Sequence, residues 1–151
     1  MIDFKVIEQN LPRIDARDKV TGRAVYASDV YLPGMLMCKL LPSTHAHARI
    51  LSIDTSKAEV LQGVRSVITG QDFPDIRFGS GALKDRYIMA RDEVFYIGEP
   101  VAAVAADDEI TAQEAIDLIE IVYEELPSVI DPITALTADA PPVHSDVSDF
   151  E

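Results

Sequence analysis

Phe95–Pro127 (FYIGEPVAAVAADDEITAQEAIDLIEIVYEELP) narrows the possible folds more than any other stretch, because each of its joints carries a chemical mark. Val101–Ala106 is an unbroken apolar run of strand length, opened by the turn residues Gly98 and Pro100. Asp107-Asp108-Glu109 interrupts it with three charges and leads to Thr111-Ala112-Gln113-Glu114, the pattern of a capping box. The spacing predicts an amphipathic helix with Ala112, Ala115, Ile116 and Ile119 on one face and Gln113, Glu114 and Asp117 on the other. Ile121-Val122-Tyr123 is β-branched and aromatic, so the chain is expected to leave the helix near Glu120 and extend until Leu126-Pro127. A strand–helix–strand unit follows, with Val101–Ala106 and Ile119–Glu125 expected to lie parallel and adjacent. Nothing in it is chemically reactive, and it reads as scaffold.

A chain of 151 residues, 48% of them hydrophobic, suffices for one domain with a proper core, or one domain and a tail. No apolar run approaches the length of a membrane span, and MIDFKVIEQN lacks the basic-then-apolar order of a signal peptide. The lone cysteine, Cys38, excludes an internal disulfide framework and any all-cysteine metal or iron–sulfur site within one chain. A reducing cytoplasm is the expected compartment. The formal charge of −13 is unevenly spread: residues 1–75 hold nine acids and nine bases, residues 76–151 seventeen acids and four bases. Nucleic-acid binding needs the opposite sign, which argues against it. The acidic half reads as a solvated face, its carboxylates falling at helix-surface and turn positions.

From the start, residues 1–12 form a weakly patterned lead-in, and Asp15–Gly22 is turn-rich and charged. Arg23–Val30 alternates as a strand does; Leu32-Pro33-Gly34 is a turn. Met35–Leu41 is a second, largely apolar strand expected at a sheet centre, with Cys38 packed as a small hydrophobe. A loop over Ser43–Arg49 precedes the strand Ile50–Asp54, a short helix over Asp54–Gly63 and the strand Val64–Thr69. Residues 50–69 thus form a second, shorter strand–helix–strand unit. Asp75–Arg91 is a weakly periodic loop with Gly79-Ser80-Gly81 at its tip. After Pro127, residues 128–151 read as an extended connector, with a short helix over Ile133–Leu136 and more polypeptide expected to follow Glu151.

Reactive chemistry is sparse. His45 and His47 stand two apart, a spacing at which a strand would aim both to one side as metal ligands. In a loop flanked by alanines, without a third ligand nearby, they read as polar loop or interface residues. Asp107-Asp108-Glu109 resembles a hard-cation cluster, but its place before a capped helix favours interaction with the helix dipole. Gly79-Ser80-Gly81 could touch an anion, yet no helix start stands behind it. No dinucleotide-binding, phosphate-loop or nucleophile-elbow motif occurs.

Arg13-Ile14-Asp15-Ala16, Lys19-Val20-Thr21-Gly22-Arg23-Ala24 and Tyr26-Ala27-Ser28-Asp29 form a first block that resembles the molybdenum-binding subunits of the xanthine dehydrogenase and aldehyde oxidase family. His47-Ala48-Arg49-Ile50, Ile53-Asp54-Thr55 and Gly63-Val64 form a second. Asp92-Glu93-Val94, Tyr96 through Ala102, and Tyr123-Glu124-Glu125-Leu126-Pro127 form a third. The blocks are in order, cover residues 13–144, and match the family's N-terminal α/β-hammerhead domain. The resemblance implies an α/β (α+β) fold over residues 13–127, a mixed sheet with two strand–helix–strand units. Phe95 departs from a basic residue common in the family and is read as local variation.

The resemblance also implies a role. Family enzymes hydroxylate purines, aldehydes, N-heterocycles or carbon monoxide, or in one branch remove a phenolic hydroxyl from an aromatic acyl-CoA. Electrons pass from molybdopterin to iron–sulfur clusters and on to FAD or another acceptor. The glycine-rich cofactor segments and the catalytic glutamate lie in later domains, so no catalytic, cofactor-binding or metal residue is assigned here. The chain is expected to be inactive alone: the N-terminal domain, or a separate small subunit, of a molybdenum hydroxylase. Its expected partners are the molybdopterin-binding domains and the iron–sulfur and FAD domains or subunits. The 75–91 and His45/His47 loops are expected at that interface. A self-contained binding module is the alternative, and an acidic cation-binding protein a third reading.

Overall fold

Val101–Ala106 anchors the architecture because its small and β-branched apolar side chains can be covered on both faces at once. In the computed structural model, which describes residues 11–79 and 84–143, the strand spans Pro100–Ala106, and Val101, Ala102, Val104 and Ala106 are wholly buried. The chain forms two compact units, residues 1–35 and 36–151.

Among its described residues the first unit holds one short helix, α1 (Ala16–Val20), and a 3-10 turn at Ala27–Asp29. None of its described residues is buried. The strand expected over Arg23–Val30 is not formed: the Asp29 carboxylate accepts from the Tyr26 amide (2.9 Å) and folds the segment into a local turn.

The second unit contains β1 (Met37–Pro42), β2 (Ala48–Asp54), α2 (Ser56–Glu59), β3 (Val64–Thr69), β4 (Glu93–Val94), β5 (Pro100–Ala106), α3 (Glu109–Asp117) and β6 (Glu120–Glu125). The expected α/β class therefore holds. The strands build two three-stranded sheets, ordered β1-β5-β3 and β4-β2-β6. Every ladder among the described residues is antiparallel, so the expected parallel pairing of β5 with β6 in one sheet is not formed. The reason is occupancy. Both edges of β5 are already taken, by β1 (Met37 opposite Ala106) and β3 (Val64 opposite Ala106), and β6 pairs with β2 instead. Each strand–helix–strand unit therefore crosses between sheets. In the apolar cores, Ala58, Ala102, Val104, Ala115 and Ile116 cluster on one side and Ala48, Ala90, Val94 and Val101 on the other, with Ile53 and Ile121 touching both clusters.

Three local expectations change with this arrangement. β1 is an edge strand rather than a central one; Met37, Lys39 and Leu41 turn inward, which leaves Cys38 exposed. The α3 helix begins a turn earlier than Thr111. The Asp108 carboxylate accepts from the Thr111 amide (2.8 Å) and hydroxyl (3.0 Å), and an ionised oxygen is the stronger cap. The two described ends of the 75–91 stretch meet at Tyr87, whose hydroxyl donates to Asp75 (2.8 Å) while the guanidinium groups of Arg77 and Arg91 lie over its ring at 5.2 and 5.9 Å. The glycine tip at Ser80-Gly81 lies outside the described residues.

Candidate functional site, an apolar groove beside His47

Two loops meet at one end of the β4-β2-β6 sheet: residues 43–47, before β2, and residues 95–99, between β4 and β5. Backbone geometry stitches them together. The Ser43 amide donates to the Glu99 carbonyl (2.8 Å) and the Gly98 amide to the Ser43 carbonyl (2.8 Å). Gly98 takes φ +96, a region that other residues enter at a cost, which lets the chain turn back there. Glu99 is buried, and its side chain accepts from the Phe95 amide at 2.6 Å.

The two histidines are drawn to different partners. His45 lies against the Tyr123 ring, centroids 4.4 Å apart, with its Nδ1 at 3.0 Å from the Thr44 hydroxyl. Burial pushes the Tyr123 hydroxyl above its ordinary value, partly offset by a hydrogen bond with Ser43. His47 stacks on Phe95 at 5.7 Å, and its Nδ1 lies 2.8 Å from the Pro127 carbonyl oxygen. A carbonyl only accepts, so the network assigns the proton to Nδ1 and makes Nε2 the acceptor of the neutral ring. That Nε2 is buried without a hydrogen-bond partner. Among the described residues no three His, Cys, Asp or Glu side chains gather as a metal site.

Beside His47 lies a groove of about 340 Å³, walled by Ala46 and His47, by residues 95–97, by 127–130 and by 141–143. Among the described residues no Asp, Glu, Lys or Arg lines it. Ile97, Ile130 and Val143 stay largely exposed along it. Sequence reasoning singled out His47 and set Phe95 aside; the partnership of Phe95 and the prolines with His47 depends on loops far apart in sequence.

The acidic run before α3 is spent internally. Asp107 pairs with Arg65 through two bonds (2.7 and 2.8 Å), Asp108 caps the helix, and Glu109 meets Lys39 at 2.7 Å. These contacts hold all three carboxyls below their ordinary values: for Asp107 the cause is the Arg65 hydrogen bonds, for Asp108 the Thr111 amide, for Glu109 the Lys39 ammonium. A larger polar cleft of about 480 Å³ lies between β2 and β3. Its charged groups are likewise engaged: Arg91 donates to the Gly70 (3.1 Å) and Phe73 (2.6 Å) carbonyls, and Asp72 accepts from the Thr69 amide (2.7 Å).

Residues 21–127 match the family described as "Aldehyde oxidase and xanthine dehydrogenase, a/b hammerhead domain". The chain is 41% identical, over 131 residues, to the carbon monoxide dehydrogenase large chain of Afipia carboxidovorans, covering 85% of this chain and 16% of that protein. It is 38% identical to the nicotinate dehydrogenase large molybdopterin subunit of Eubacterium barkeri, covering 97% of this chain and 34% of the relative. Among solved structures, the aldehyde oxidoreductase from Desulfovibrio gigas aligns with a TM-score of 0.79 at 33% identity, covering 89% of this chain and 16% of that one. The chain thus spans between 16% and 34% of the length of these relatives.

Proposed function

Because the chain belongs to the aldehyde oxidase and xanthine dehydrogenase family, as its a/b hammerhead domain, we propose that it is the frame of a molybdenum hydroxylase large subunit. In this reading residues 13–127 are the domain and residues 128–151 the connector that joins or abuts the molybdopterin-binding remainder. The family match over residues 21–127 carries the proposal. The donor set of the described residues does not fit a molybdenum centre: no three of their His, Cys, Asp or Glu side chains gather, and His45 and His47 turn to separate partners. No chemical step is therefore assigned to this chain. Molybdopterin, with iron–sulfur clusters and FAD, belongs to partner domains or subunits. The reaction is a cytoplasmic hydroxylation or dehydrogenation of a small carbon substrate, and the chain's part is to support and shape the approach to the cofactor.

Combining the 151-residue chain with the remainder of its large subunit tests this. We expect a stable complex, with dye-linked oxidation of a purine, aldehyde or N-heterocycle only when both parts are present. Turnover or tightly held molybdenum in the chain alone would overturn the proposal, and so would full activity of the remainder without it.

A further inference from the structure

We infer that the groove beside His47 seats an uncharged, apolar polypeptide segment of the molybdopterin-binding remainder, one that brings an N–H donor to His47 Nε2. The inference rests on the domain assignment above and goes beyond it by naming the contact.

Three observations converge. The groove straddles the limit of the family match at residue 127: His47 and residues 95–97 lie inside it, residues 128–130 and 141–143 beyond it. Relatives are several times the length of this chain, so further domains are available to pack against it. Secondly, the lining holds no Asp, Glu, Lys or Arg in a chain of net charge −13. An anionic surface interrupted by an uncharged apolar channel suits a carbon-rich segment rather than a polar or cationic one. Thirdly, Nε2 of His47 is a buried acceptor with no donor. Such a group is costly to leave unmet, and the cost is relieved when a donor reaches it. A backbone amide of an extended segment is such a donor. A second copy of this chain is the less suitable occupant, because two bodies of charge −13 repel.

The test uses the purified remainder of the large subunit as the probe. Ile130 is 89% and Ile97 68% exposed in the groove wall, so Ile130→Glu and Ile97→Asp should leave the melting temperature of the free chain unchanged. Each should weaken association with the remainder at least tenfold. In the wild type, amide exchange at residues 95–97 and 127–130 should slow on assembly, and the unprotonated ring nitrogen of His47 should shift in the ¹⁵N spectrum. Undiminished association of both variants, or unchanged exchange at the groove, overturns the inference while the domain assignment stands. An unmoved nitrogen resonance overturns the donor contact. A dimer of the chain that Ile130→Glu dissociates gives the groove to a second copy and overturns it as well. Failure of the wild-type chain to bind the remainder removes the domain assignment and this contact together.

Discussion

The two strand–helix–strand units share a plan but differ in where their stability lies. Each leaves one sheet and enters the other, β2 to β3 across α2 and β5 to β6 across α3. Yet α3 runs for nine residues and buries Ala112, Ala115 and Ile116, whereas α2 runs for four and buries only Ala58. A single helical turn cannot present a full apolar stripe, so the shorter unit relies on its chain geometry and on polar contacts. Gly63 turns at φ +94, the Gly63 carbonyl accepts from the Asp107 amide (2.9 Å), and Lys57 pairs with Glu120. The difference teaches that topology fixes which elements meet, while helix length decides which meeting carries the core.

The largest expected effect tests the long unit. Ile116→Ala removes a side chain buried between α3 and the β1-β5-β3 sheet and should cost roughly 2–5 kcal/mol in urea unfolding. A loss under about 1 kcal/mol would break the comparison, because α3 would then carry no more than α2. Next comes Gly70, just past the short unit, where an added Cβ would fall onto the carbonyl oxygen of Ala90. Backbone cannot yield as a flexible side chain does, so Gly70→Ala should cost roughly 2–3 kcal/mol and disturb the Arg91 bonds to the Gly70 and Phe73 carbonyls. Thermal melts that rank Gly70→Ala below a surface substitution would remove geometry as the short unit's support.

Most elements were legible because their signals are local. Val64–Thr69 stands where its β-branched run ends at glycine, and β5 follows the apolar run after Pro100. The 3-10 turn at Thr134–Leu136 lies within the short helix expected there. What misled was pairing, which is not local. Nothing in Ile121-Val122-Tyr123 says that β1 and β3 will occupy both edges of β5 first. Arg23–Val30 has a strand's alternation, yet Asp29 bonds back to Tyr26 and no partner strand among the described residues competes for that amide. The groove was half legible: His47 drew notice as a histidine, whereas Phe95, Ile97 and Ile130 carry no mark until distant loops place them beside it.

Smaller effects sharpen the comparison at the point where the two units touch. A Cβ on Gly63 would meet the Thr111 methyl at 3.1 Å in a backbone region unfavourable to other residues. Gly63→Ala should therefore cost about 1–2 kcal/mol, and pairing it with Thr111→Ser should recover the steric part but not the backbone part. Asp108→Ala strips the N-cap of α3 and should lower the denaturation midpoint, while Asp108→Asn keeps an acceptor and should lower it less. Equal losses for the two Asp108 variants in a denaturant titration would show that charge, not capping, holds the helix start.

The smallest effect is a dependence on pH, and its sign follows from the same helix starts. Asp107, Asp108 and Glu109 begin the long unit's helix and Asp54 precedes the short one's, with the Ser56 hydrogen bonds holding Asp54 low; all four carboxyls lie below their ordinary values of 3.8 for Asp and 4.5 for Glu. A carboxyl depressed in the folded state binds its proton more readily in the unfolded one. The stability it contributes is thus present above the ordinary value and is lost as pH falls through the folded value. Melting temperature should hold from pH 7 to about 5 and decline below about 4.5, more shallowly in high salt because these groups face solvent. Asp108→Asn should flatten part of that decline, and Asp54→Asn should flatten a share of its own. If only the long unit's substitutions change the slope, the short unit owes its place to Gly63 and Gly70 rather than to charge.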